Sequence, residues 1–210
     1  MNYEYNVQVM NTDSKKILRL ELELLNKIQN GENLTQRIIS RELNVALGMA
    51  NTLIKRLVKK GFLKLKLAPM KRYLYYLTPK GMLEKTKLTR EYLESSLQFY
   101  SNSRKEYESL FKKINEKNYQ YIVLAGSSEL AEIAILAAVN SGINVNYVYS
   151  PSYKKKSFSG IRIINNINKK KFNHLNTCFF LTELEKPKET FEYLKSYKIY
   201  KPKFLMMDSK

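Results

Sequence analysis

LTQRIISRELNVALGMANTLIKRLVKKGFLKLKLAPMKRYLYYLTPKG, residues 34–81, decides how the N-terminal part folds. Thr35 is a good N-cap residue, and Ile38, Ile39 and Leu43 follow it on one helical face. Asn44-Val45 makes a turn. A second helix is expected over about Leu47–Lys60. Ala50, Leu53, Ile54, Leu57 and Val58 form its apolar stripe, and Gly61 is its stop. Phe62–Leu67 and Tyr73–Leu77 alternate like paired strands, joined by 68–72, where Pro69 suits a loop. The pattern is helix, turn, helix, hairpin.

This segment holds eleven Lys or Arg against one acid, Glu42, whereas residues 1–34 hold four basic and five acidic side chains. The formal charge of +18 is thus unevenly spread. A solvated lysine-rich surface could account for the excess elsewhere in the chain, but poorly for this segment. A basic helix-turn-helix with a wing is a shape that suits duplex DNA. In that arrangement the second helix enters the major groove and reads base edges with its N-terminal residues. Its outward positions here are Gly48, Met49, Asn51, Thr52, Lys55 and Arg56. Gly48 would let the backbone come close, Asn51 and Thr52 can hydrogen-bond base edges, and Met49 offers an apolar contact. Lys55 and Arg56 lie farther along and are expected at phosphates. Thr35, Gln36 and Arg37 open the preceding helix, where free amides suit a phosphate. Lys66, Lys71 and Arg72 sit on the wing.

Outward from this core, a helix is expected to begin at Asp13 or Ser14 and to place Ile17, Leu20, Leu24, Leu25 and Ile28 on one face before Asn30-Gly31 ends it. On the other side, Thr78-Pro79 opens a helix. No Pro or Gly appears from Met82 to Lys117, so a helix of about 35 residues and about 50 Å is expected. Leu93, Leu97, Tyr100, Arg104, Tyr107, Phe111 and Ile114 step along it at alternating spacings of four and three. That is a heptad seam with one polar member, and it points to a homodimer joined through residues 82–117. A pair of helices broken near Ser101-Asn102-Ser103 and packed within one chain is the alternative.

From Tyr119, YQYIVLAGSSELAEIAILAAVNSGINVNYVYS reads as strand, glycine turn, apolar helix, Gly142 cap and strand, the start of a βαβ unit. GIRIIN and Thr177–Thr182 are further strands, Pro187 opens a helix to about Tyr197, and Lys203–Met207 is expected as the last strand. The fold class is an α+β N-terminal winged helix-turn-helix (1–81), a long linking helix (82–118) and a C-terminal α/β Rossmann-like domain (119–210).

TQRIISRELNV, LGMANTLIKRLVKKG and YLYYLTPKGMLEKTKLTREYL give residues 34–115 a resemblance to MarR-like winged-helix regulators associated with extracellular-polysaccharide gene clusters. The resemblance implies a dimeric transcription regulator linked to surface-glycan genes, with double-stranded DNA as partner. Ala46 departs from it, because the family usually has a capping Ser there. IVLAGSSELAEIAILAAVNSGINV resembles the Rossmann-like domain at the N-terminus of bacterial sugar acyltransferases. That resemblance implies a phosphate at the turn of Gly126, Ser127 and Ser128, and hence a nucleotide-sugar or other phosphorylated effector; a domain used only for packing or assembly is the alternative. Glu129 and Glu132, one helical turn apart, are candidates for a sugar hydroxyl. Only one glycine of a G-x-G-x-x-G is present, and Ser150 stands where a ribose-binding acid would be, so NAD and other cofactors are not expected.

Enzyme chemistry finds little support. His174 is the single histidine and Cys178 the single cysteine, so neither a His-based triad nor a metal cluster is suggested. A sugar-nucleotide enzyme and a non-specific nucleic-acid binder are the competing classes. Cys178 lies in the apolar run NTCFFLT and reads as a core residue. MNYEYNVQVM has no apolar signal core, and no run approaches a membrane span, so a cytoplasmic protein without membrane contact is expected.

Overall fold

The computed structural model describes residues 12–30, 34–68, 72–114 and 119–206. The chain divides into two compact units, Met1–Ser96 and Leu97–Lys210.

The first unit contains α1 (Thr12–Gln29), α2 (Gln36–Glu42), α3 (Leu47–Lys59), and a hairpin of β1 (Leu63–Ala68) and β2 (Arg72–Leu77). α1 starts at Thr12, so Asp13 and Ser14, expected to cap it, lie inside its first turn. Thr35 caps α2 as expected, its Oγ1 accepting from Ile38 N at 3.3 Å. Asn44 takes φ +50°, a left-handed conformation that Asn tolerates, in the turn to α3. α3 has no side-chain cap at Ala46 and ends before Gly61, which takes φ +74°. Ala50, Leu53, Ile54 and Leu57 are buried with Leu24, Leu25 and Ile28 of α1, Ile39 of α2, and Leu63 and Tyr75 of the hairpin. Val58, placed in the same stripe, is only partly buried.

The hairpin register pairs Leu63 with Leu77, Leu65 with Tyr75, and Leu67 with Tyr73. Alternation therefore puts these six on one face and Lys64 and Lys66 on the other. Leu63 and Tyr75 join the core, whereas Leu67 and Tyr73 are exposed: the ribbon runs out of the core into solvent.

A tight joint follows the wing. Thr78 Oγ1 donates to Gly61 O at 2.7 Å and accepts from Gly81 N at 3.0 Å, while Thr78 N donates to Phe62 O at 3.0 Å. A Cβ on Gly81 would stand 2.2 Å from Phe62 O and 2.8 Å from Leu77 Cδ1. The Thr-Pro-Lys-Gly sequence is thus a packing requirement: hydroxyl for the cap, Pro at the first helical position, and no side chain where the backbone of the hairpin passes.

α4 runs unbroken from Pro79 to Lys112, and the division between the units falls within it. No break occurs at Ser101–Ser103. The expected seam is not one continuous contact surface. Tyr107, Phe111 and Ile114 are buried in the core of the second unit. Tyr107 Oη donates to Leu181 O at 2.7 Å, and the Phe111 ring lies 4.2 Å from that of Phe180. Arg104 is half-buried beside Glu108. Leu93, Leu97 and Tyr100 are exposed. The heptad spacing identifies an apolar face, and its last members are covered by their own chain.

The second unit is α/β. β3 (Tyr121–Ala125), α5 (Glu129–Asn140), β4 (Tyr147–Tyr149), β5 (Ser157–Phe158), β6 (Ile161–Ile164), β7 (Thr177–Leu181), α6 (Pro187–Leu194) and β8 (Lys198–Tyr200) follow in order. The sheet order is β5-β6-β4-β3-β7-β8, all parallel except the β5–β6 pair. Leu124, Cys178 and Phe180 face one core with α5 and the end of α4; Val123, Ala125, Phe179 and Leu181 face another with Leu194 of α6. Burial on both faces explains why these strands read as continuous apolar runs. Cys178 is fully buried, which pushes its thiol up to about 12. The last strand is Lys198–Tyr200, and Lys203–Met206 is a 3-10 helix, not the strand expected there. β8 pairs with β7 and takes the edge position, and Leu205 N bonds back to Pro202 O in a turn. A short apolar run such as KFLMM does not by itself distinguish strand from helix.

Gly81→Ala is expected to lower the stability of the first unit by about 1–3 kcal/mol through overpacking against Phe62 and Leu77. A thermal melt of the variant checks this, and an unchanged melting temperature would contradict the close approach.

Candidate nucleic-acid interface

Burial of the α3 stripe leaves a defined outward surface on the same helix. Gly48, Met49, Thr52 and Lys55 are exposed. Nothing lies within 4 Å of a Cβ built on Gly48, so the fold itself does not require glycine there. Thr52 Oγ1 donates to Gly48 O at 2.9 Å, which leaves its oxygen lone pairs to accept from outside. Arg37 of α2 and Lys66 of β1 are exposed as well.

Other expected contact residues are placed differently. Asn51 is half-buried, and its Oδ1 is buried with no hydrogen-bond partner among the described residues. It sits at the border of the stripe, one position too far round the helix to present its whole amide outward. Gln36 is also half-buried and hydrogen-bonds Tyr75, whose phenol is raised by burial and partly lowered again by that bond. The Thr35 hydroxyl is used by the Ile38 amide. Arg56 is exposed, but its Nε lies 3.1 Å from Glu21 Oε1 of α1. Lys71 lies outside the described residues; Arg72 begins β2, and its side chain is outside them too. Exposed apolar groups missing from the expected set flank it: Leu47 on α3, and Leu65, Leu67, Tyr73 and Tyr76 on the wing. The alternation of the hairpin contained that signal, because the wing is longer than the core it covers.

The acid of this segment is also accounted for. Glu42 Oε2 accepts from Lys27 Nζ at 2.8 Å, and that hydrogen bond, with the Lys27 charge, holds its carboxyl below the usual carboxylate range. The outward face of α3 itself carries no acid.

The glycine turn of the second unit is occupied by its own chain. Gly126 takes φ +121°, and a Cβ there would stand 2.4 Å from Glu183 N. Thr182 Oγ1 donates to Gly126 O at 2.8 Å. Ser127 Oγ lies 3.0 Å from Ser150 Oγ, while Ser128 Oγ donates to Thr182 O at 2.6 Å and accepts from Leu130 N as the α5 cap. Glu129 is exposed, and Glu132 accepts from Ser159 Oγ at 3.2 Å. The glycine thus admits the strand-β7 exit where a phosphate cradle would need open backbone. Both hydroxyls expected to assist a phosphate are already hydrogen-bonded within the unit.

Among the described residues no group of three or more His, Cys, Asp or Glu is placed to hold a metal ion, and no helix is long and apolar enough to cross a membrane.

A family model described as winged helix-turn-helix DNA-binding matches residues 17–64. MepR, a transcription regulator of the Staphylococcus aureus multidrug efflux pump MepA, is similar at 18% identity and a TM-score of 0.36. That alignment covers 41% of this chain and 63% of MepR, less than two thirds of its length. The S. aureus MepR–DNA complex aligns with the same identity and score over 42% of this chain and 71% of that one. Human N-acetylserotonin methyltransferase in complex with SAM aligns over 80% of this chain and 66% of its own, at 12% identity and a TM-score of 0.31. These structural likenesses are too distant to bear on function. No curated protein matches the chain. The first unit carries a winged helix-turn-helix DNA-binding domain.

Because the fold leaves open space at Gly48, Gly48→Ala is expected to hold or raise the stability of the first unit, by up to about 1 kcal/mol from helix propensity, and with it the melting temperature. A fall in a calorimetric scan would mean that the glycine serves the fold.

Proposed function

We propose that this protein is a sequence-specific DNA-binding transcriptional regulator that acts as a homodimer. The observation that carries the reading is the outward face of α3: Gly48, Met49, Thr52 and Lys55 are exposed on a helix whose opposite face buries Ala50, Leu53, Ile54 and Leu57. Gly48 allows close approach, Thr52 and Met49 meet base edges, and Lys55 with Arg37 and Lys66 meets phosphates. Asn51 contributes only after its amide turns outward. The surface-polysaccharide genes implied by the sequence resemblance are the targets to try first. No effector enters this reading, because Thr182 and Glu183 take up the approach to Gly126.

Dimerisation is assigned to the part of α4 left open. Every residue from 91 to 100 is exposed, and Leu93 and Leu97 remain 55% and 59% accessible, one helical turn apart. A second copy of the helix would cover them and space two recognition helices along an operator.

Lys66→Ala is expected to weaken binding equally on unrelated duplexes and to reduce the salt slope by about 0.9. Thr52→Ala and Met49→Ala should instead reduce discrimination between operator and unrelated DNA, by the roughly 1–3 kcal/mol that a base-edge interaction supplies. Fluorescence anisotropy against salt on two sequences separates the effects; equal affinity of the wild-type chain for all sequences would leave a non-specific binder in place of a regulator. Leu93→Asp with Leu97→Asp should convert a dimer to a monomer in sedimentation velocity, and a wild-type chain that sediments as a monomer at micromolar concentration would remove the dimer from the reading.

A further inference from the structure

Glu21 is a buried acid facing the helix that carries the DNA-contact surface. Its side chain is 1% exposed, and its neighbours on α1, Leu20, Leu22, Leu24 and Leu25, belong to the core. Arg56 Nε lies 3.1 Å from Oε1, and Lys60 Nζ donates to Oε2 at 3.4 Å. The two cations stand one turn apart at the C-terminal end of α3, and both remain accessible to solvent. Moving either charge fully onto a phosphate would draw it away from a carboxylate that is shielded from solvent. A buried charge deprived of its partner is heavily penalised, whereas a DNA phosphate that goes without one cation keeps its hydration and its counterions.

We propose that Glu21 is a positioning residue that acts as an internal counterion, holding Arg56 and Lys60 away from phosphate. The inference rests on the DNA-binding reading above and refines it. The cations that meet DNA are then Lys55, Arg37 and Lys66, and one of the two positive charges that Arg56 and Lys60 bring to the far end of the helix is offset inside the protein. Sequence-independent attraction falls accordingly, and base contacts carry a larger share of the binding. Arg56, placed at a phosphate by its position on the helix, is removed from the contact set by the acid beneath it.

The test is the salt dependence of binding to a duplex of unrelated sequence. E21Q keeps the size of the side chain and removes its charge. The slope of log Kobs against log salt is expected to steepen by about 0.9 for each cation that gains a phosphate, so by about 1–2 in all. E21Q/R56Q/K60Q should return to the wild-type slope. An unchanged slope in E21Q, or a steepening that survives removal of both cations, overturns the proposal; a purely structural role would move the melting temperature and leave the slope alone. If E21Q does not fold, R56Q in the otherwise unaltered chain decides, with a slope close to wild type expected and a flattening of about 0.9 refuting the proposal. Lys55→Ala serves as the separate control. If neither it nor the wild-type chain has salt-dependent binding, the DNA reading fails. If Lys55→Ala flattens the slope normally and E21Q changes nothing, only the counterion role fails.

Discussion

Burial of one stripe of α3 is the constraint on which the rest of the first unit depends. Ala50, Leu53, Ile54 and Leu57 are held between α1, α2 and the root of the hairpin. Each large aliphatic side chain in such a site contributes roughly 1.5–3 kcal/mol of transfer free energy. The rotation of the helix about its own axis is therefore fixed, and with it the identity of the residues that point outward. Ala46 supplies no side-chain cap, so the start of the helix is set by packing and by the Ala50 N to Ala46 O bond of 3.0 Å rather than by local chemistry. The wing is fixed from the opposite end, because Thr78 ties Gly61 and Phe62 to the first turn of α4.

Charge is sorted on this frame by the same helices. Eleven cations in residues 34–81 would repel one another if all pointed the same way. Instead α1 takes part in dividing them. Its Glu21 engages Arg56 and Lys60, while its Lys27 takes the segment's one acid, Glu42. What remains on the outward side of α3 is short and nearly neutral at its N-terminal end, at Gly48, Met49 and Thr52, with Lys55 beyond. On the proposed DNA-binding reading, a surface of that kind would suit discrimination between bases better than indiscriminate attraction, since phosphate contacts position a protein while base contacts specify a sequence.

The features legible in the sequence are those with a local cause. Thr35, Gly61 and Thr78-Pro79 announce helix ends through capping chemistry, and the period of α3 announces its buried face. The α/β unit is legible because short apolar runs bounded by turn residues alternate with a longer apolar helical segment. The misplacements arise where a long-range partner decides. Nothing near Arg56 reveals Glu21, 35 positions earlier and on another helix. Nothing near Gln36 reveals Tyr75. Gly126 looks like a phosphate turn because glycine there is required, but what requires it is the backbone of Thr182 and Glu183, delivered by a strand far along the chain. The last strand is hidden for a related reason: Lys198–Tyr200 is short, and only its pairing with β7 makes it a strand.

The heptad spacing of α4 illustrates the same limit and gives it a functional meaning. Periodicity records that a helix has an apolar face; it is silent on whether the cover comes from the same chain or another. Here the face changes its role along its length. Tyr107, Phe111 and Ile114 are core residues of the α/β unit, while Leu93, Leu97 and Tyr100 face solvent. A seam used wholly by a second chain would leave the α/β sheet without one of its covering helices. A seam used wholly within the chain would not leave Leu93 and Leu97 open beside Tyr92. The apolar residues of the middle of α4 are therefore the ones that the fold of the single chain leaves without cover, and the proposed association with a second copy would cover them without disturbing the core that the end of the helix completes.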